Sequence, residues 1–254
     1  MRCFITGGTG FVGSHLMDKL EIEGHQVTSY RRNMEIPDLS GYDIIYHIAG
    51  VLGKRGLPLS VYRAAHYDLT KHILDKMNKS QKIIFMSSAY VEDARKPYEM
   101  TKLEGELLVQ KSGFDYAVIR PSFIYGPGDL HHLPVYRWIN KLQNLFPILG
   151  DGKSIAAPLY IDDLINVLIR AHELRNIISV AGEHLTMNEY LAKIAEALSV
   201  RKPHIHIPDF VIYHELFHGD FFTLSHPFKS DFATSSMEEG LKKTVSWYKQ
   251  NNYL

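Results

Sequence analysis

The feature that most constrains the fold is the junction over residues 2–24. An apolar run, RCFIT, ends directly in TGGTGFVG, and the apolar residues of FVGSHLMDKLEIEG then recur at helical spacing until Gly24. Strand, tight turn and helix follow one another without a linker. Three glycines, Gly7, Gly10 and Gly13, occupy the turn. Glycine is demanded where the backbone enters φ > 0 or where something approaches too closely for a side chain, although ordinary tight turns also collect it.

Short β-branched and aromatic runs recur at QVTSY (26–30), DIIYHIA (43–49), KIIFMS (82–87) and DYAVIR (115–120), with helical patterns between most of them. That alternation predicts right-handed βαβ crossovers and a parallel sheet covered by helices on both faces. The interval from Tyr30 to Asp43 is too short for a full helix plus a strand, so one crossover is abbreviated. Beyond PSFIYGPGD, Pro and Gly become frequent, and loops and helices of a second lobe follow. The expected class is α/β, a Rossmann-like doubly wound parallel sheet with a small C-terminal substrate lobe. Residues 1–254 form one unit, with a core over about 1–125 plus 155–182 and the lobe over about 126–154 and 183–254. In this context the turn suits the pyrophosphate of a dinucleotide, held on helix N–H groups. Gly7 would make the turn, Gly10 would let the backbone approach the phosphates, and Gly13 would let helix and strand pack, in a GxxGxxG spacing one residue longer than GxGxxG.

Of 254 residues, 45% are hydrophobic, enough for a core of this size. Lys plus Arg and Asp plus Glu both total 28, so no basic field favours nucleic acid or an anionic membrane. The one cysteine, Cys3, lies in the first apolar run. It allows no intrachain disulfide and suits a reducing compartment. No segment approaches the ~20 apolar residues of a membrane span, and the N-terminus lacks a long apolar leader. A cytoplasmic location is expected.

In PYEMTK (97–102), Pro97 favours a helix beginning near Tyr98, which places Tyr98 and Lys102 on one face. At roughly 5 Å and an effective dielectric of about 20, the ammonium would favour the phenolate by about 3 kcal/mol, or about two pKa units before desolvation subtracts some. Ser88 follows the run KIIFM, at a strand's carboxyl end where ligands bind in parallel sheets, and could donate to a substrate carbonyl beside Tyr98. Taken singly, YxxxK is also an ordinary exposed pair and Ser-Ser an ordinary turn.

Taken in order, TGGTGFVG, YDIIYHIAG, FMSS, YEMTK, RPSFIYGPGD and LYIDDL resemble the motifs of extended short-chain dehydrogenases/reductases, the NAD(P)-dependent epimerases and dehydratases acting largely on nucleotide sugars. The resemblance covers residues 1 to about 200. It implies that Tyr98 is the acid/base, that Lys102 lowers its pKa and holds the nicotinamide ribose, and that Ser88 polarises the reacting oxygen. Hydride then passes between the nicotinamide and a hydroxyl or keto carbon. Cofactor contacts are implied for Gly7, Gly10, Phe11, Val12 and Gly13 around the turn, for Arg31 and Arg32, for Ala49 and Pro121, and for Tyr98 and Lys102. Ser88, Tyr98 and Tyr125 are implied to face substrate. Helices near 66–79 and 99–112 resemble those that pair subunits in this family, so a homodimer is expected.

Departures from the pattern are informative. His66 stands where the family commonly places a relay Asn, either as a hydrogen-bonded structural residue or as a replacement relay. Glu92-Asp93 replaces Tyr-Gly, and the interval from Ser88 to Tyr98 is short, as though a substrate-covering loop were lost. Arg31, followed by Arg32, replaces the Asp that grips ribose hydroxyls, which favours NADP with NAD possible; a solvated pair stacking on adenine is the plainer alternative. Ala156 stands where nucleotide-sugar members carry a diphosphate-clamping Arg, with Lys153, Arg137 or Lys141 as substitutes. The tail after residue 200 is short, so the substrate lobe is reduced.

HELFH (214–218) matches the zinc-peptidase pattern, with His214 and His218 as ligands and Glu215 as base. Phe221 and Leu224 occupy the positions of the extended motif's Gly and His, so no metal is expected. His204 and His206 alternate with Ile205 and Ile207, as on the exposed side of a strand. Two other functions fit: a reductase of a non-nucleotide aldehyde or ketone, and a non-catalytic NADP-sensing protein.

Overall fold

The computed structural model describes residues 1–31, 34–54, 56–208, 229–232 and 234–254. The chain divides into two compact units, Met1–Pro121 with Leu164–Val180, and Ser122–Asp163 with Ala181–Leu254.

The first unit is built on strands β1 (Arg2–Thr6), β2 (Gln26–Tyr30), β3 (Ile44–His47), β4 (Lys82–Met86) and β5 (Asp115–Pro121), and on a sixth strand, Asn176–Val180. All pair in parallel, in the order β2-β1-β3-β4-β5-sixth. This is the Rossmann-like doubly wound sheet expected from the sequence. The order reverses beside β1, so the turn after Thr6 opens at the switch point, outside the carboxyl ends of the strands.

Helix α1 (Phe11–Ile22) buries Val12, Leu16 and Leu20 at i, i+4 spacing. A short helix α2 (Leu59–Arg63) passes through one π-helical turn, Ala64–Asp68, into α3 (Leu69–Lys76), and α4 (Pro97–Lys111) follows β4. The crossover from β2 to β3 contains no helix among its described residues. It buries Ile36 and Leu39 in the core with Phe4, Ile45, Ile83, Phe85 and Val118. Its backbone carbonyls find side-chain donors: Lys76 Nζ at Ile36, and Gln81 Nε2 at Leu39 and, at 2.8 Å, at Tyr42.

Pro97 opens α4, where the Glu99 carboxylate accepts from the Lys96 N–H at 2.9 Å. Its buried stripe is Thr101, Lys102, Gly105, Glu106 and Val109, mostly polar or small. A Cβ on Gly105 would lie 2.2 Å from the His66 carbonyl oxygen, so only glycine lets α4 press onto the π-helical turn.

The second unit contains α5 (Leu133–Leu142), α7 (Met187–Leu198), α8 (Met237–Gln250) and three two-stranded sheets, while α6 (Ile161–Arg170) runs across the division in the chain. A reciprocal Thr186–Glu189 box caps α7. Strand Ile205–Ile207 pairs with Pro147–Leu149 and exposes His206, as its alternation predicts. HELFH lies outside the described residues. Among the described residues no helix is long and apolar enough to cross a membrane.

Candidate functional site

At the turn after β1, Gly7 adopts φ +79°, and a Cβ there would lie 2.8 Å from the Ala49 nitrogen. A Cβ on Gly13 would lie 2.0 Å from the Gly7 carbonyl oxygen, with Gly7 and Gly8 backbone immediately behind it. The turn thus packs against the end of β3 on one side and under α1 on the other. The Gly10 N–H closes it by donating to Gly7 O at 2.9 Å. Gly10 is the N-cap of α1 and, being glycine, supplies no side-chain cap to that helix. Val12 and Gly13 are buried, Phe11 is half-buried and Gly10 is exposed. The turn therefore presents backbone N–H groups and the positive end of a helix dipole, a suitable cradle for a pyrophosphate. Arg31 is exposed just beyond β2, and Pro121 ends β5, buried. Arg32 lies outside the described residues.

Ser88, just past β4, begins the short 3₁₀ turn Ala89–Asp93 and accepts from the Tyr90 N–H at 3.3 Å. Its side chain lies within reach of that of Tyr98, on the first turn of α4, and favours the ionised phenol there. The Tyr98 ring lies edge-on to His66 and Tyr62, at centroid distances of 5.5 and 6.4 Å. Lys102, one helical turn on and 4% exposed, donates from Nζ to Met86 O at 2.8 Å. The structure thus brings together Ser88, Tyr98 and Lys102, the three residues singled out from the sequence.

The electrostatics correct one expectation. From the charge of Lys102 alone the phenol should be lowered, yet burial, the largest influence, pushes Tyr98 up from its ordinary value. Ser88 opposes that rise, while Glu99 and Tyr62 add to it. Burial also acts on Lys102, whose pKa is pushed down to about 8.

Sequence reasoning missed the groups behind this constellation. Glu106, fully buried, accepts from Ser87 Oγ at 2.6 Å, from Gln110 Nε2 at 2.8 Å, and from Arg120 Nε and Nη2 at 3.0 and 2.6 Å. Arg120 also reaches Glu92 at 3.3 Å. A buried forked ion pair therefore joins α4 to β5 and to the segment bearing Ser88. The spacing Tyr98, Lys102, Glu106 along one helix face was the available signal. Gly50 was also missed: a Cβ there would lie 3.1 Å from Lys102 Nζ and 3.3 Å from His66 Nε2.

In the second unit, Tyr125 is 1% exposed and its hydroxyl donates to Met237 O at 3.3 Å. The side chain is thus packed within that unit. Arg137 donates from Nε to Tyr253 O at 2.9 Å, Lys153 pairs with Asp151 at 3.3 Å, and Lys141 lies over the Trp138 ring at 5.5 Å. Ala156 is fully buried. Among the described residues no group of three or more His, Cys, Asp or Glu could hold a metal ion.

Residues 3–182 match the model of the NAD dependent epimerase/dehydratase family. Among similar proteins, the chloroplast stem-loop binding protein of 41 kDa b from Arabidopsis thaliana is 30% identical over 76% of this chain and 61% of its own length. The chain thus spans less than two thirds of that relative. The UDP-N-acetyl-alpha-D-glucosaminuronate decarboxylase of Bacillus cytotoxicus is 26% identical over 98% of both chains. Among solved structures, MoeE5 in complex with UDP-glucuronic acid and NAD superposes with a TM-score of 0.78 at 20% identity, over 99% of this chain and 100% of that one.

Proposed function

Because the chain belongs to the NAD dependent epimerase/dehydratase family, we propose that it is a nicotinamide-dinucleotide oxidoreductase acting at a hydroxyl or keto carbon, with Tyr98 as the acid/base. The observation that carries this reading is the setting of Tyr98: the Ser88 side chain acts on its hydroxyl, and a buried ammonium follows one turn later, in the unit that bears the glycine turn.

The glycine turn fits the cofactor because its N-cap residue, Gly10, supplies no side chain to occupy the backbone donors of α1. Gly7, Gly10 and the first turn of α1 would hold the pyrophosphate, with Ala49 and Pro121 beside the cofactor. The bound nicotinamide supplies the hydride donor or acceptor. Ser88 Oγ holds the reacting oxygen, and Tyr98 Oη takes its proton or returns it. Lys102 stays charged below about pH 8 and favours the phenolate once Tyr98 releases its proton. Arg31 offers planar donors suited to a 2′-phosphate, so NADP is the preferred cofactor and NAD a usable one. Tighter binding of NAD(H) than of NADP(H) in a direct titration would overturn that preference.

A nucleotide sugar is the substrate class favoured by the decarboxylase relative and by the ligand of MoeE5. The second reading, a reductase of a non-nucleotide aldehyde or ketone, is favoured by the buried Ala156, where the resemblance calls for an arginine. Zero net charge gives no support for carrying stem-loop binding over from the chloroplast relative. A screen of nucleotide sugars and small carbonyls, read by NADPH consumption and product stereochemistry, separates the two substrate classes. Tyr98→Phe should abolish turnover while cofactor binding persists; an unchanged cofactor response together with no turnover in the parent protein would instead mark a sensor. The reading extends to a homodimer through α3 and α4, where Met100 and Leu107 of α4 are exposed, and to a cytoplasmic setting. Light scattering of the purified protein tests the dimer.

A further inference from the structure

His66 has no part in the chemistry above, yet it is 1% exposed, sits on the π-helical turn and has both ring nitrogens engaged. The Val51 N–H is directed at Nε2 over 3.1 Å. An amide can only donate, so Nε2 carries the lone pair and Nδ1 the proton. Nδ1–H then donates to Thr101 Oγ1 at 2.9 Å, and the Thr101 hydroxyl donates to Pro97 O at 2.8 Å.

The neighbouring links run in a consistent direction. The Ala49 N–H donates to Thr6 Oγ1 at 3.2 Å, and the Thr6 hydroxyl donates to His47 Nδ1 at 2.7 Å. His47 Nε2–H donates to Thr70 Oγ1 at 2.8 Å, and the Thr70 hydroxyl donates to the His66 carbonyl at 2.6 Å. Reversing the His66 tautomer would set an N–H against the Val51 N–H and leave Nδ1 without its donor role. The titratable groups facing the ring are Lys102 and Tyr98 from α4, Tyr62 from α2 and His47 from β3. None is an acid that could stabilise an imidazolium, and burial, Lys102 and His47 all push the His66 pKa down.

We propose that His66 is a positioning residue: a permanently neutral Nδ1–H imidazole that clamps the Val51 amide to the first turn of α4 and so sets the Tyr98 hydroxyl, carrying no proton itself. A relay must accept one proton and release another, passing through an imidazolium or exchanging tautomers. Either course breaks the bond to Val51 or the bond to Thr101. The ring holds Tyr98 through Thr101, three residues further along the helix, and through its own edge-on contact with the phenol ring. The proposal rests on the reading of Tyr98 as the acid/base.

Two measurements test it. Nitrogen-15 spectra of the histidine-labelled full chain should show His66 as the Nδ1–H tautomer, unchanged from pH 5.5 to 8.5. Ionisation or tautomer exchange within that range overturns the proposal, whether or not a substrate is known. In turnover assays Thr101→Val should lower kcat by about tenfold or more, with the dinucleotide Kd and the shape of the pH profile unchanged, and Thr101→Ser should restore it. A kcat unaffected by Thr101→Val, or a pH limb that disappears in His66→Asn, would show that the clamp does not set Tyr98. Absence of any turnover in the parent protein would overturn the Tyr98 reading while leaving the spectral test of His66 intact.

Discussion

Lys102 is held charged where burial disfavours charge, so its removal has a calculable effect on stability. Its pKa falls from an ordinary 10.5 to about 8, and that gap corresponds to about 3 kcal/mol of disfavour for the buried ammonium. Below pH 8 the folded and unfolded chains both carry the proton, and the penalty is fully present. Between pH 8 and 10.5 the folded protein releases it while the unfolded chain keeps it, so stability rises with pH. Lys102→Met removes this dependence. It also costs a constant amount for the lost bond to Met86 O, about 1–3 kcal/mol, which does not vary with pH. Urea denaturation of both proteins at several pH values therefore isolates the ionisation: parent minus variant should increase by about 2 kcal/mol between pH 7 and 9.5. Stopping at pH 9.5 avoids the buried tyrosines, which titrate above their ordinary range. A difference that stays flat across that window refutes the assignment of a depressed lysine. The same variant should lose turnover, so a site kept for chemistry would be shown to weaken the fold that carries it.

Three other substitutions probe the frame. Gly13→Ala would drive a methyl into the Gly7 carbonyl, where backbone on both sides cannot yield, and should cost about 3 kcal/mol in urea denaturation and abolish dinucleotide binding. Glu106→Gln leaves the Arg120 guanidinium without its buried carboxylate and should cost about 3–5 kcal/mol, measured the same way. Arg31→Asp should shift the ratio of NADP(H) to NAD(H) affinity by tenfold or more toward NAD(H), read by direct titration.

The legible parts of the molecule were those where spacing or backbone geometry carries the information. RCFIT running into three glycines specified β1, its turn and α1, because an apolar run of strand length gives way to a glycine-rich turn and then to apolar residues at helical spacing. The abbreviated crossover was visible from its length, though not that Ile36 and Leu39 would fill the place of a helix. The shared face of Tyr98 and Lys102 was legible because four residues make about one helical turn. Their pKa directions were not, because desolvation depends on what surrounds a group in three dimensions. Glu106 and Arg120, fourteen residues apart in the chain, meet only once the sheet has formed. The bond from Tyr125 to Met237 was hidden for a related reason: the two are remote in sequence, and no local pattern announces that α8 receives the hydroxyl. Counted by hydrophobic period, the inward face of α4 would be mistaken for a solvated one.

That face has a mechanical consequence. Helix α4 buries a cation and an anion one turn apart, and they do not pair with each other: Lys102 answers to a carbonyl of β4, and Glu106 to the fork on β5. A greasy stripe would let the helix slip by a residue or roll by a few tens of degrees at modest cost. Two opposite charges with separate, fixed receptors act instead like the teeth of a key, since any misalignment strands both in low dielectric. The tyrosine is cut on the same shank, so its angular setting is dictated by electrostatic fit rather than by the looser matching of apolar shapes.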